Sequence, residues 1–194
     1  MPFRFAPGLT RAFSLTLRRL GLAATRDALF VSVARQEMWL LERSDPTARS
    51  GNSLQLPEYR PRRRFVASTS RVGVGQIQDS HRTPLGLHRI ARKVGGGWPV
   101  GAVFERRQPV GYTWQGRPEA PIAHRLLWLE GLEPGFNQGG DVDSFRRFIY
   151  VHGVGDETTL GRPASRGCVH LAAADLLPLY DRLPVGTLVW IAER

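Results

Sequence analysis

Residues 150–191 read "YVHGVGDETTLGRPASRGCVHLAAADLLPLYDRLPVGTLVWI". An apolar run stops at His152-Gly153. A polar, glycine-containing loop follows and closes on Ser165-Arg166-Gly167. Directly after it stands Cys168, the one cysteine of the chain. Residues 173–183 then place Leu176, Leu179, Tyr180 and Leu183 on one helical face. Pro178 falls inside that helix, so a late start or a kink is expected there. "GTLVWIA" (186–192) closes the segment as a strand.

A thiolate is the reactive form of cysteine, and a neighbouring imidazole is able to take the thiol proton and hold the resulting ion pair. His152 ends a strand and Cys168 follows a glycine turn, so both sit where side chains are presented. Gly167 permits close backbone approach, and the amides of Gly167 and Cys168 are candidates to face a developing oxyanion. No acidic side chain stands in an obvious place to orient His152, and a backbone carbonyl such as that of Gly153 is the candidate. Taken alone, a cysteine sixteen residues after a histidine is a weak signal, because a lone cysteine often packs as an inert small hydrophobe.

The wider pattern is specific. His152-Gly153, Leu160-Gly161-Arg162-Pro163, Ser165-Arg166-Gly167-Cys168-Val169, Asp175, Leu179-Tyr180 and Gly186 to Ile191 follow one another in order. Upstream, "STSRVGVGQIQDSHRTPLGLHRI" (68–90) adds a Ser-Thr and a Thr-Pro-x-Gly element. This series resembles the catalytic segment of the L,D-transpeptidase (YkuD) family, from about Ala28 to Ala192. The resemblance implies a mainly β (α+β) fold: a β-sandwich with a mixed sheet and one principal core helix near the C-terminus. It implies acyl transfer on peptidoglycan stem peptides, with a thioester on Cys168, His152 as base, and Gly153 and Gly167 in the catalytic set. Ser165, Arg166 and His170 then fall at the substrate. A 3→3 cross-link is the expected product. Trimming of tetrapeptide stems and non-catalytic wall binding are the alternatives. No cofactor and no metal is implied. Two positions depart: Arg166 stands where the family often has a histidine, and His170 where it has an arginine. That leaves His170 as a second candidate base.

The remaining sequence is read from pattern. Residues 28–33 and 37–42 form a hairpin, 44–64 a polar, arginine-rich loop, 64–70 a strand, and 87–91 another strand after the Thr-Pro turn. Gly95 to Gly97 form a flexible tip, 124–132 a strand buried on both faces, and 146–153 a strand. The glycine-rich loop 133–145 is either a lid or a solvated connection. His88 reads as packed, His124 as a surface residue, and His81 as lying outside the cleft. The tryptophans read as core or rim, with Trp114 beside Tyr112 the best candidate for a sugar platform.

The formal charge of +10 is nearly all arginine, since Lys93 is the sole lysine. No ribonucleoprotein, zinc-knuckle or helix-turn-helix pattern accompanies it, and nucleic acid is not an expected partner. One cysteine excludes an intramolecular disulfide framework. A zinc site on Cys168, His170 and His152 lacks the usual Cys-x-x-Cys or His-Glu-x-x-His spacing. A papain-like protease would carry cysteine and histidine in the reverse order. Residues 1–27 read as a basic amphipathic extension and 28–194 as the catalytic domain. Leu9, Phe13, Leu17, Leu20 and Ala24 share a face, which fits a helix packed on the domain or a peripheral membrane contact through 9–24. The substrate places the protein in the periplasm or cell envelope. No clear export signal is read in residues 1–27, and a cytoplasmic role is the alternative.

Overall fold

A computed structural model describes residues 7–44 and 56–194. It contains the helices α1 (Pro7–Arg19) and α2 (Ala173–Arg182) and ten strands: β1 (Asp27–Ser32), β2 (Glu37–Arg43), β3 (Tyr59–Ser68), β4 (Gly86–Val94), β5 (Ala102–Glu105), β6 (Gln108–Tyr112), β7 (Ala123–Gly131), β8 (Tyr150–Gly153), β9 (Val169–Leu171) and β10 (Leu188–Ala192). The fold is mainly β with a mixed sheet, in the order β4-β10-β1-β2-β3-β9-β8-β7-β5-β6. β4 also pairs with β7, so eight strands close on themselves and β5–β6 hang from β7 as a hairpin. Two contacts are parallel, β1 with β10 and β8 with β9.

Alternation drives the closure. Leu29 and Val31 of β1, Met38 and Leu40 of β2, and Val189 and Ile191 of β10 enter one buried cluster with Leu176, Leu179 and Leu183 of α2 and its C-cap. Each fully buried leucine contributes about 2 kcal/mol through lost water contact. α2 starts at Ala173 despite Pro178. Its first turn has no side-chain cap, and the Glu157 carboxylate accepts from the Ala173 amide instead, at 2.6 Å. At the other end Lys93 donates to the carbonyls of Tyr180 and Leu183, satisfying carbonyls that a helix terminus leaves open.

The N-terminal helix docks on the opposite side of β1. Phe13 and Leu17 are buried in a second cluster with Phe30, Leu41 and Tyr59. Phe13 meets the rings of Tyr59 and Trp190 edge-on, at 5.4 and 6.0 Å between centroids. Among the described residues no helix is long and apolar enough to cross a membrane.

Three sequence readings change. The arginine-rich stretch expected as a loop is strand β3 from Tyr59 onward, while residues 45–55 of that expectation lie outside the described residues. Three of its exposed arginines are paired: Arg62 with Glu42, Arg64 with Glu37, and Arg63 with Asp175. The strand expected from residue 146 starts at Tyr150, because Ser144 to Phe148 form turns and Phe148 has φ +57°. His124 is buried. Its Nδ1 accepts from the Gly101 amide at 2.8 Å, and Nε2 donates to the Val154 carbonyl at 3.2 Å.

Candidate active site

The parallel pair β8–β9 sets His152 opposite His170, with Val151 opposite Val169. Cys168 stands one residue before β9, so its thiol emerges at the mouth of this pair. The half-buried sulfur accepts from the Tyr150 amide at 3.4 Å and its proton points to the Phe148 carbonyl at 3.5 Å. It packs beside an aromatic wall of Trp128, Tyr150 and Phe145. Trp128 stacks on Phe145 at 4.1 Å and meets Tyr150 edge-on at 5.5 Å.

The turn carrying the thiol is over-determined. Ser165 Oγ donates to the Cys168 carbonyl at 2.6 Å and accepts from the Gly167 amide at 3.1 Å. The amides of Ala164 and Ser165 both donate to the Thr69 carbonyl, and the Arg71 amide donates back to Ser165. Gly167 has φ +117°, a region that favours glycine. A Cβ there would lie 3.2 Å from the Arg82 carbonyl oxygen and 3.3 Å from Ile149.

At two of the expected site residues the resting geometry engages the group otherwise. Ser165 was read as a substrate contact, but its hydroxyl is buried and occupied within the turn. The Gly167 amide was read as facing an oxyanion, and in the resting structure it is held by Ser165 instead.

His152 is buried on β8. Its Nδ1 lies 2.8 Å from the Gly153 carbonyl oxygen. A carbonyl only accepts, so Nδ1 carries the hydrogen and Nε2 is left with its lone pair. The orienting group is the backbone carbonyl expected from the sequence. Gly153 is required by close approach: a Cβ would fall 2.6 Å from the His124 ring and 2.8 Å from the Ala123 carbonyl oxygen.

Burial pushes the His152 imidazole down to about 4, against the favourable contact with Gly153. Burial pushes the Cys168 thiol up to about 11, with the Tyr150 amide and the Arg147 guanidinium pulling the other way. Burial thus favours the neutral form of each group, thiol for Cys168 and imidazole for His152. Such a pair suits general-base activation at the moment of attack.

His170 faces His152 with ring centroids 4.7 Å apart. Burial, then the adjoining His152, push it down to about 3, and its buried Nδ1 has no hydrogen-bond partner. The position at which the resemblance has an arginine is thus neutral here.

Arg166 is exposed and, with His81, lines a cavity of about 120 Å³ next to the thiol turn. His81 thus stands beside the thiol turn. Arg147 lines the same cavity and was missed from sequence, because it was read as the head of a strand. Loop 133–145 is tethered: Asn137 donates to the carbonyls of Leu85 and Leu87, and Glu133 accepts from the Leu87 amide.

The sequence matches the L,D-transpeptidase catalytic domain family, YkuD, over residues 26–191. The chain belongs to this family. Among curated proteins no sequence matches. The solved structure of Bdellovibrio bacteriovorus Bd1075 has the same fold, with TM-score 0.54 and 16% identity over 89% of this chain and 49% of that one. L,D-transpeptidase 3 from Mycobacterium tuberculosis, in complex with a faropenem-derived adduct, aligns with TM-score 0.48 and 15% identity over 87% of this chain and 60% of that one. The chain thus spans about half to three fifths of the length of these structures. Within the L,D-transpeptidase family reading, Cys168 is the candidate nucleophile and His152 the candidate base.

Proposed function

We propose that this chain is a cysteine-dependent acyltransferase that cross-links peptidoglycan stem peptides in the periplasm or cell envelope. The observation that carries the reading is the His152 tautomer. With Nδ1–H on the Gly153 carbonyl, Nε2 is the ring's basic nitrogen, on the strand beside the one that Cys168 precedes.

Nε2 takes the thiol proton as sulfur attacks the carbonyl carbon of the third stem residue, a diaminopimelate L-centre. The tetrahedral intermediate collapses and the C–N bond to D-alanine breaks. His152 returns the proton to the departing amine, leaving a thioester on Cys168. An amine of a second stem attacks the thioester carbonyl and gives its proton to His152. A 3→3 amide forms and the thiol is restored. Every proton passes through one imidazole that starts neutral, which matches its lowered basicity. The turn fixed by Ser165 holds sulfur still during both attacks, and such positioning is a large part of catalysis.

The test is mass spectrometry of the purified protein with a disaccharide-tetrapeptide, run beside Cys168→Ala. A 3→3 dimer and a thioester mass on the wild type, both absent from the variant, are expected. Tripeptide without dimer would make the chain an L,D-carboxypeptidase. Absence of thioester and turnover would overturn the acyltransferase reading.

A further inference from the structure

The cavity beside the thiol has an unusual lining. Arg146, Arg147 and Arg166 face it together with His81, and Asp79 is the one carboxylate in its wall. Arg147 is half-buried. It donates to the carbonyls of Gly75, Gln76 and Arg82 at 3.2, 2.8 and 2.7 Å, and to Ser80 Oγ at 3.4 Å. These acceptors are all neutral, and they fix the guanidinium through its two terminal nitrogens, while Asp79 offsets part of its charge. Among the described residues none of the three arginines forms an ion pair, although eight ion pairs occupy other arginines. Three guanidiniums against one carboxylate leave a small concavity with net positive charge, and the planar guanidiniums of Arg146 and Arg166 match carboxylate in particular.

Placement narrows the anion. The cavity wall includes Phe148, whose carbonyl meets the Cys168 thiol, and Ile149, which abuts Gly167. About 120 Å³ is well below the volume of a typical whole-ligand pocket, about 300–1,000 Å³, and suits one small residue. A residue released from the acyl group at sulfur carries its own carboxylate two bonds from the departing nitrogen.

We infer that this cavity is the subsite for the C-terminal carboxylate of the residue released from the donor peptide. The inference rests on the acyl-transfer reading and deepens it. Arg147 is the fixed base of the subsite, and Arg146 and Arg166 are its adjustable arms. The same Arg147 charge also favours the thiolate of Cys168, so one guanidinium acts on both sides of the bond that breaks. It supplies the positive charge that the neutral His170 does not.

The experiment uses full-length Cys168→Ala protein and calorimetry. One probe is L-Ala-γ-D-Glu-diaminopimelyl-D-Ala with a free C-terminus. The second is the same peptide with a C-terminal carboxamide, and the third carries the carboxamide on the D-Glu α-carboxylate instead. The C-terminal amide is expected to bind at least about 10-fold more weakly, the internal amide within about 3-fold of the parent. Adding Arg166→Gln or Arg146→Gln is expected to shrink the C-terminal discrimination to about 3-fold or less. Equal affinity for free and amidated C-termini, discrimination unchanged in both arginine variants, or no binding of any probe would overturn the subsite. The acyl-transfer reading is read separately, from the thioester mass on wild-type protein. A thioester with no C-terminal discrimination sinks the subsite alone. Discrimination without a thioester sinks the reaction and the leaving-residue role with it, and leaves only a C-terminal carboxylate site.

Discussion

Two regions of the sheet each bury a histidine, and in both burial pushes the imidazole down to about 4. On β4, His88 has both ring nitrogens engaged, Nδ1 with the Gly86 carbonyl at 3.1 Å and Nε2 with Ser144 Oγ at 3.0 Å. On β8, His152 has Nδ1 on the Gly153 carbonyl, and among the described residues Nε2 makes no hydrogen bond. Depth and basicity are the same in the two places, so neither marks a catalytic residue. What differs is the second ring nitrogen: His88 uses it to tie β4 to the end of loop 133–145, whereas His152 leaves it open, as the proposed base role requires.

The sharpest way to break this contrast is to exchange the two roles by mutation. His152→Gln is expected to lower kcat about a hundred- to ten-thousand-fold with the fold retained. His88→Ala is expected to leave kcat per folded molecule near wild type. It should cost about 1–3 kcal/mol of stability, because Ser144 and Gly86 lose a partner. Steady-state kinetics and thermal unfolding on both variants decide it, and a large kcat loss in His88→Ala would end the distinction.

Acid should affect the two regions alike in stability and differently in rate. Both folded-state values lie below the ordinary 6.5 of histidine, so the unfolded chain binds more protons between about 4 and 6.5. Their contribution is complete above pH 6.5 and is lost as pH falls through about 4. It amounts to about 3 kcal/mol for each fully buried ring. Melting temperatures at pH 7, 5.5 and 4 are expected to fall in that order, and His88→Gln should flatten the trend. The acid limb of kcat/KM should lie near pH 4 and persist in His88→Gln; a limb near 6.5 would place His152 in a wetter setting.

Gly167→Ala tests the thiol turn with no loss of chemistry. The positive φ and the Arg82 carbonyl oppose a Cβ, and the expected cost is about 1–3 kcal/mol with a rate loss of about 10-fold or more from misplaced sulfur. Unchanged unfolding and acylation rates would show that the turn yields freely. The smallest effect is expected at β3, where Arg62→Ala removes an exposed pair with Glu42. Chemical denaturation should register under about 1 kcal/mol there.

Much of this was legible in the sequence because it is local. Alternating apolar residues declare β1, β2, β7 and β10, and the face of Leu176, Leu179 and Tyr180 declares α2. The Gly153 carbonyl as the orienting group of His152 followed from the absence of an acid nearby. Arg147 was hidden because its carbonyl partners lie about 70 residues earlier in the chain, and no local pattern reports them. β3 was hidden for a related reason. Its arginines read as loop until the carboxylates of Glu37 and Glu42 on the neighbouring strand are taken into account. The pairing of β4 with β7, which closes the sheet, has no local signal at all.

The parallel pairing of β1 with β10 has a consequence for biosynthesis. Ala28 waits for Leu188, and at roughly 5–20 residues per second the delay is about 8–30 s. Throughout that interval β1 shows an open edge to the nascent chain's surroundings, and β4 lacks the neighbour it later shares with β1. The early hairpin β1–β2 is therefore an invitation to mispairing or chaperone capture until the final strand arrives. Because β10 is made after Cys168, the Cys168 thiol leaves the ribosome before the sheet that seats it is sealed.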